Sequence, residues 1–235
     1  MNKIFDFFLN CLNTEYDQIK VIKENERGMV ALLRHKQTGT RYIFRRFFGN
    51  GLVYRALLNI SCPHLPKILE VAEKDGEVLV LEEYIQGDTL SFLLTGNVLS
   101  ARQARQIGRQ LCQALWVLHA IGAVHRDVKP ENVILRGKEV ILIDFDASRI
   151  QKPEGYEDTQ ILCTTGYAAP EQYGLSQTDC RADIYAMGVL LNVLMTGHHP
   201  SQKLVRGRMG RIIQKCTMTA PEKRYQTIFA LLEAL

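Results

Sequence analysis

His125-Arg126-Asp127-Val128-Lys129-Pro130-Glu131-Asn132 is the stretch on which the reading of this chain turns. Upstream of it, Ile107, Leu111, Leu115 and Leu118 recur at helical spacing behind Ser100, a residue suited to cap a helix N-terminus. Downstream, Val133 to Leu135 form a short apolar run. The octapeptide is therefore a polar loop that follows a long helix. Lys129 lies two residues past Asp127, so an extended backbone between them points both side chains the same way. Taken alone, such a loop could carry nothing more than two helix-capping side chains.

Its surroundings divide into two halves of different periodicity. From Asp17 to Leu81, β-type runs (Gln18 to Ile22, Val30 to Arg34, Arg41 to Phe48, Val78 to Leu81) are separated by Thr38-Gly39 and Asp75-Gly76, which predicts an antiparallel sheet built of hairpins. After Ser100 helix takes over, with a second helix over Asp183 to Met195 stopped by Gly197 and Pro200, and a last one over Gln226 to Leu235. The change falls at Glu82-Glu83-Tyr84-Ile85-Gln86-Gly87. An α+β chain of two lobes follows, with a small sheet-rich lobe over about 14–82, a connector at 83–87 and a mainly helical lobe over 88–235. A cleft where two lobes join is a favoured ligand site.

Composition bounds the partners. The 235 residues are 46% hydrophobic, enough for one core or for two lobes on one chain, and the net charge of +4 falls short of the cationic stripe that nucleic acid binding needs. Six cysteines (Cys11, Cys62, Cys112, Cys163, Cys180, Cys216) stand far apart with no C-x-x-C pair, which argues against zinc and disulfides and fits a reducing, cytoplasmic setting. No run approaches the roughly 18 apolar residues of a membrane span. The opening MNKIFDFFLNCL reads as an amphipathic helix over residues 3–12 packed on the body, not as a signal peptide, because Asp6 interrupts it and no small-residue cleavage site follows.

Further landmarks keep the octapeptide company. Asp144-Phe145-Asp146 begins seventeen residues after Asp127, directly behind the β-like Val140 to Ile143, and Ala169-Pro170-Glu171 closes a segment twenty-seven residues beyond Asp144. Asp183 in Asp183-Ile184-Tyr185-Ala186-Met187-Gly188 and Arg224 in Pro221-Glu222-Lys223-Arg224-Tyr225 complete the order. From about Tyr16 to the C-terminus the chain resembles the eukaryotic-type serine/threonine protein kinases, as a bacterial-like member with a divergent, shortened N-lobe.

That resemblance implies ATP and Mg²⁺ (or Mn²⁺) as cofactors and a Ser or Thr hydroxyl of a protein as acceptor. Asp127 would take the hydroxyl proton, Lys129 would neutralise the migrating phosphoryl group, and Asn132 and Asp144 would offer hard oxygens to the metal. Lys129, together with Thr164 ahead of Gly166 to Glu171, resembles the serine/threonine branch more than the tyrosine branch. By the same resemblance Glu171 and Arg224 form a buried ion pair and Asp183 holds the catalytic loop from below. Arg126 suggests a pocket for a phosphorylated residue, with Thr159, Thr164 and Thr165 as candidates and Thr159 preferred. Gly28, Arg45, Glu82, Glu83, Ile85 and Lys129 would line the nucleotide site.

The small lobe departs from the family. Where the family has a glycine-rich phosphate loop, Lys23 to Gly28 keeps only Gly28 and adds Glu24 and Glu26, so the segment either covers ATP loosely or merely closes a hairpin. Arg45 stands in place of the strand lysine, with Arg46 on the opposite face of the strand. Residues 46–61 contain no Asp or Glu, so the usual helix glutamate is missing, and the helix that carries it looks shortened by about two turns. Glu82, acidic at the back of the expected nucleotide pocket, is the replacement partner predicted for Arg45. Asp146 replaces the glycine of the family's D-F-G.

Three readings compete on this inventory: an active kinase, a pseudokinase that binds nucleotide or partners without turnover, and a small-molecule kinase of the same fold. The retained Asp127, Lys129, Asn132 and Asp144 favour the first. Arg102, Arg105 and Arg109 on one helical face, and Arg206, Arg208 and Arg211 in one short stretch, read as solvated faces, with docking of an acidic substrate as the sharper alternative.

Overall fold

A computed structural model of the chain describes residues 3–26, 28–151, 166–174 and 178–235. They form two compact units, Met1–Cys62 with Pro66–Gln86, and Pro63–Leu65 with Gly87–Leu235. The main division thus falls inside the connector read from the sequence.

The first unit runs α1 (Lys3–Glu15), β1 (Tyr16–Asn25), β2 (Gly28–His35), β3 (Arg41–Phe48), α2 (Leu52–Leu57), β4 (Ile68–Lys74) and β5 (Glu77–Glu83). The strands pair antiparallel in the order β1-β2-β3-β5-β4. Asp75 and Gly76, at φ of 53° and 79°, make the two-residue turn between β4 and β5, the all-positive geometry that suits the right-handed twist of a hairpin. Phe5, Phe8 and Leu12 of α1 pack into a cluster with Ala31, Leu33, Phe44, Leu79 and Leu81 of the sheet, so the amphipathic N-terminal helix does cover one face. Strand alternation sends Arg45, Val80 and Glu82 to the other face.

β4 was not anticipated. Its residues, ILEVAEK, carry charges that break the apolar alternation, and it is an edge strand whose burial follows from pairing with β5. As expected, α2 is short: six residues, burying Val53, Tyr54 and Leu57.

The second unit contains β6 (Asp88–Thr89), α3 (Leu90–Leu93), α4 (Ala101–Ala120), β7 (Ala123–Val124), β8 (Val133–Arg136), β9 (Glu139–Leu142), β10 (Arg149–Ile150), α5 (Arg181–Thr196), α6 (Gly207–Cys216) and α7 (Ile228–Ala234), with 3-10 turns at Pro130–Asn132, Pro170–Tyr173 and Pro221–Lys223. Ser100 caps α4 in a capping box with Gln103, and Thr227 caps α7, which starts two residues later than the sequence pattern indicates. The central α5 is buried along most of its length and ends on Gly197 in the left-handed conformation. Within it the buried Asn192 donates to the carbonyls of His198 and Lys203 and accepts from the Val205 N–H, fixing the following loop.

Part of the arginine cluster has a structural task instead of a solvated one. Arg105 Nε donates to the Leu235 carbonyl at 2.8 Å and Arg208 to that of Ala234 at 2.8 Å, satisfying carbonyls that the last turn of α7 leaves without helical partners. Cys11, Cys112, Cys180 and Cys216 are free thiols, and burial pushes Cys112 up to about 12. Among the described residues no helix is long and apolar enough to cross a membrane.

Helix α6 crosses α5 at Gly188, where an added Cβ would sit 2.5 Å from Cβ of Cys216 and 2.9 Å from Cγ2 of Thr217. Gly188→Ala is therefore expected to destabilise the protein by about 1–3 kcal/mol, a drop of several degrees in a thermal melt. Gly137→Asn is the control: Gly137 has a φ of 64°, which asparagine tolerates, and nothing lies within 4 Å of its Cβ position. Equal melting of the alanine variant and wild type would show that the two helices can part.

Candidate catalytic site

The site in the second unit is organised from Asp183, which lies in the first turn of α5 and has no exposed surface. Its Oδ2 accepts the backbone N–H of His125 at 2.9 Å, its Oδ1 that of Arg126 at 2.8 Å, and the ring of His119 meets Oδ2 at 2.8 Å. Burial pushes the carboxyl's pKa up, but the hydrogen bond and charge of His119, with the His125 ring and N–H, outweigh it and hold Asp183 below the usual carboxylate range. Asp183 thus holds the loop, as expected. Arg126 sits at φ 69°, a left-handed conformation rare for a side-chain-bearing residue, and the bond to Asp183 helps to keep it there.

The loop then delivers its chemistry. Lys129 is extended, with φ −154° and ψ 166°, and its Nζ lies 2.7 Å from Oδ2 of Asp127. Asn132, in the 3-10 turn that follows, donates through Nδ2 to the Asp127 carbonyl and to its Oδ2, both at 2.9 Å. Two residues of the octapeptide therefore converge on the carboxylate of a third.

Strand pairing brings in the fourth. β8 and β9 pair with Val133 opposite Leu142, and the Ile143 N–H donates to the Asn132 carbonyl at 2.9 Å, which places Asp144 one residue beyond that rung. Asp144 is also left-handed, at φ 70°. His125 and Phe145 stack edge to face with centroids 5.7 Å apart. Asp146 is exposed, its N–H 3.4 Å from Oδ1 of Asp144.

No cluster of three or more His, Cys, Asp or Glu able to hold a metal occurs among the described residues. The donor set does fit a hard cation that keeps waters and substrate phosphates in its shell, since Mg²⁺ is usually bound through only one or two carboxylates. With Nδ2 of Asn132 committed to Asp127, its Oδ1 is the amide oxygen that could serve as a ligand, and Asp144 follows one residue beyond the Ile143–Asn132 backbone bond.

Glu171 and Arg224 make the expected ion pair. Nη1 and Nη2 of Arg224 reach Oε1 and Oε2 of Glu171 at 2.6 and 2.8 Å. Its remaining N–H groups go to the carbonyls of Met218, Arg181 and Thr219 at 2.7 to 3.0 Å, so all five donors are used. Thr159, Thr164 and Thr165 lie outside the described residues; Arg126 is buried.

In the first unit Arg45 and Glu82 are 5% and 3% exposed, with Nε 2.8 Å from Oε1. Arg45 pairs across the ladder with Val80 and Ile43 pairs with Glu82, so the two charged residues are diagonal neighbours on one face. The predicted replacement pair is present. The only charged residue of α2, Arg55, instead binds Glu73 at 3.1 Å. Glu83 exchanges two bonds with the Lys67 backbone, and Ile85 is buried. Gly28 pairs with Asn25 to close the β1–β2 hairpin, and a Cβ there would lie 2.2 Å from the Arg46 carbonyl. Hairpin closure therefore accounts for the glycine.

Two contributors, one half-buried and one buried, escaped the sequence reading. His119 extends the Leu111–Leu115 row by one more step of four residues, a legible sign that a polar ring faces the core. Gln172 carries no such sign; it donates to the Arg126 carbonyl at 2.9 Å.

The protein kinase domain family model matches residues 53–231. The chain belongs to the protein kinase family. Among its relatives are testis-specific serine/threonine-protein kinase 3 of Mus musculus, 31% identical over 76% of this chain and 67% of that protein, and a serine/threonine-protein kinase of Myxococcus xanthus, 29% identical over 71% and 20%. A probable serine/threonine-protein kinase of Clostridium perfringens is 29% identical over 76% and 26%. The chain thus spans a fifth to a quarter of the length of the two bacterial kinases. The kinase match begins after β3, so the Arg45 strand and the β1–β2 hairpin, where the departures concentrate, lie outside it.

Two outcomes follow for this kinase domain. A carboxyl with a depressed folded pKa contributes stability that is present above its unfolded value, near 3.8, and is lost as pH falls through the folded value. Asp183→Asn should therefore flatten the acid limb of a stability-versus-pH curve below about pH 4, where wild type falls steeply. Removing one member of the buried pair strands a charge: Glu82→Leu alone should destabilise by about 3–5 kcal/mol, and adding Arg45→Met should restore most of it, as read by denaturant unfolding.

Proposed function

We propose that the chain transfers the γ-phosphoryl group of ATP to a serine or threonine hydroxyl of a protein. The observation that carries the reading is the convergence of Lys129 Nζ at 2.7 Å and Asn132 Nδ2 at 2.9 Å on the Asp127 carboxylate. Phosphoryl transfer asks little covalent work of a protein beyond orientation and charge neutralisation. Asp127 accepts the proton of the acceptor hydroxyl as its oxygen bonds to the γ-phosphorus and the bond to the ADP oxygen breaks. Lys129, beside that carboxylate, offsets negative charge on the migrating group. Asn132 orients Asp127 through its amide hydrogens. Asn132 and Asp144 would hold Mg²⁺ or Mn²⁺, which would supply neutralisation of the phosphates. In the first unit Glu82 holds Arg45 as a fixed cation.

The names of the relatives support a protein acceptor, and so does the Glu171–Arg224 clamp on the Pro170–Tyr173 turn. The pseudokinase alternative drew on the lost glycine loop and the lost ion pair with a helix glutamate; the Arg45–Glu82 pair gives the strand cation another partner.

The test is transfer of labelled phosphate from ATP, with Mg²⁺ or Mn²⁺, to the protein itself and to a generic basic protein. Label should appear with wild type and fall by about 10²–10⁴-fold in Asp127→Asn, with a comparable loss in Asp144→Asn. No label from wild type, while nucleotide still raises its melting temperature, would replace this reading with that of a non-catalytic nucleotide binder.

A further inference from the structure

Arg126 is the residue before Asp127, and its left-handed backbone, at φ 69°, is a conformation that persists only when its surroundings impose it. Two side chains impose it from opposite sides. Oδ1 of Asp183 takes its N–H at 2.8 Å, and Nε2 of Gln172 donates to its carbonyl at 2.9 Å. That carbonyl belongs to the same planar peptide as the Asp127 N–H, which donates to Nδ1 of His125 at 3.3 Å. The peptide leading into Asp127 is thus held at both ends.

Gln172 is built for this task. It is 1% exposed, and its other amide atom, Oε1, accepts the Ala169 N–H at 2.9 Å, which fixes which end of the amide faces Arg126. Its own N–H bonds the Ala169 carbonyl at 2.9 Å within the 3-10 turn Pro170–Tyr173. The preceding residue of that turn, Glu171, is bound bidentately by Arg224. Adjacent side chains of one turn therefore grip the catalytic loop on one side and the Arg224 anchor on the other.

We propose that Gln172 is a positioning residue for phosphoryl transfer, tying the Pro170–Tyr173 turn to the Arg126–Asp127 peptide and so setting the place of the Asp127 carboxylate. The inference rests on the reading of Asp127 given above. Replacing Gln172 by methionine keeps its length and removes both polar contacts. The peptide can then rotate, and displacements near 1 Å at a reacting group lower rates by about 10²-fold.

The experiment compares wild type, Gln172→Met, Asp127→Asn and the double variant in the labelled-phosphate assay, with thermal melts to confirm folding. Gln172→Met is expected to lower kcat by about 10–100-fold while KM for ATP stays within about twofold, since a group acting through Asp127 affects the reacting centre and not nucleotide affinity. In the Asp127→Asn background the same change should lower the residual rate no further, because its effect runs through the missing carboxylate. A merely structural role would lower both backgrounds alike. If Gln172→Met does not fold, Gln172→Glu takes its place: it keeps an acceptor for Ala169 but sets an oxygen against the Arg126 carbonyl, and the same pattern is expected. Full kcat in a folded variant, or equal losses in both backgrounds, would overturn the inference. Absence of any Asp127-dependent transfer in wild type would remove the parent reading and this one with it.

Discussion

A buried carboxylate that accepts two consecutive backbone N–H groups is the constraint on which the rest of the second unit depends. Asp183 fixes the peptides of His125 and Arg126, and through them the direction in which Asp127, Lys129 and Asn132 leave the loop. A charged group with no exposed surface is tolerable only when its lone pairs are filled, and here the two amides and the His119 ring fill them. The acid on α5 therefore exchanges desolvation for geometry: it stabilises a left-handed Arg126 that the loop would not adopt unaided.

Around this point the unit is tied by charge-assisted bonds to backbone carbonyls and amides more than by side-chain pairs. Arg224 spends two of its five donors on Glu171 and the other three on carbonyls, which makes it an organiser of the turns at 166–174 and 218–224. Asn192 does the same for the loop after α5, and Arg105 and Arg208 for the end of α7. Such residues cannot be exchanged for others of like charge or size, because the direction of each donor is used.

The first unit shows how a fixed cation can survive the loss of its customary partner. In a sheet, residues diagonal across a ladder on one face lie within reach of long side chains, and Arg45 and Glu82 occupy such positions. Arginine suits this arrangement, since its fork can hold a carboxylate in a buried site where lysine would present only a point charge. The short α2 is then relieved of supplying an acid, and its one charged residue turns to Glu73 instead. The family match, which begins at residue 53, excludes the Arg45 strand.

What the sequence determined by itself was whatever is encoded locally or in ordered motifs: the 3.6-residue period behind Ser100, the Asp-Gly turn, the shortened helix, and the octapeptide with its spaced companions. Even the Arg45–Glu82 pair was legible, because residues 46–61 lack an acid and Glu82, at the back of the expected pocket, needed a partner. Tertiary structure alone decided β4, whose charged alternation hides a strand stabilised by its neighbour, and the tasks of Gln172, Asn192 and the α7-capping arginines. Their hydrogen-bond partners are backbone groups, which every residue carries alike. A side chain's complement is visible in sequence when it is another side chain and invisible when it is a peptide, and only the folded chain says which peptide comes within reach.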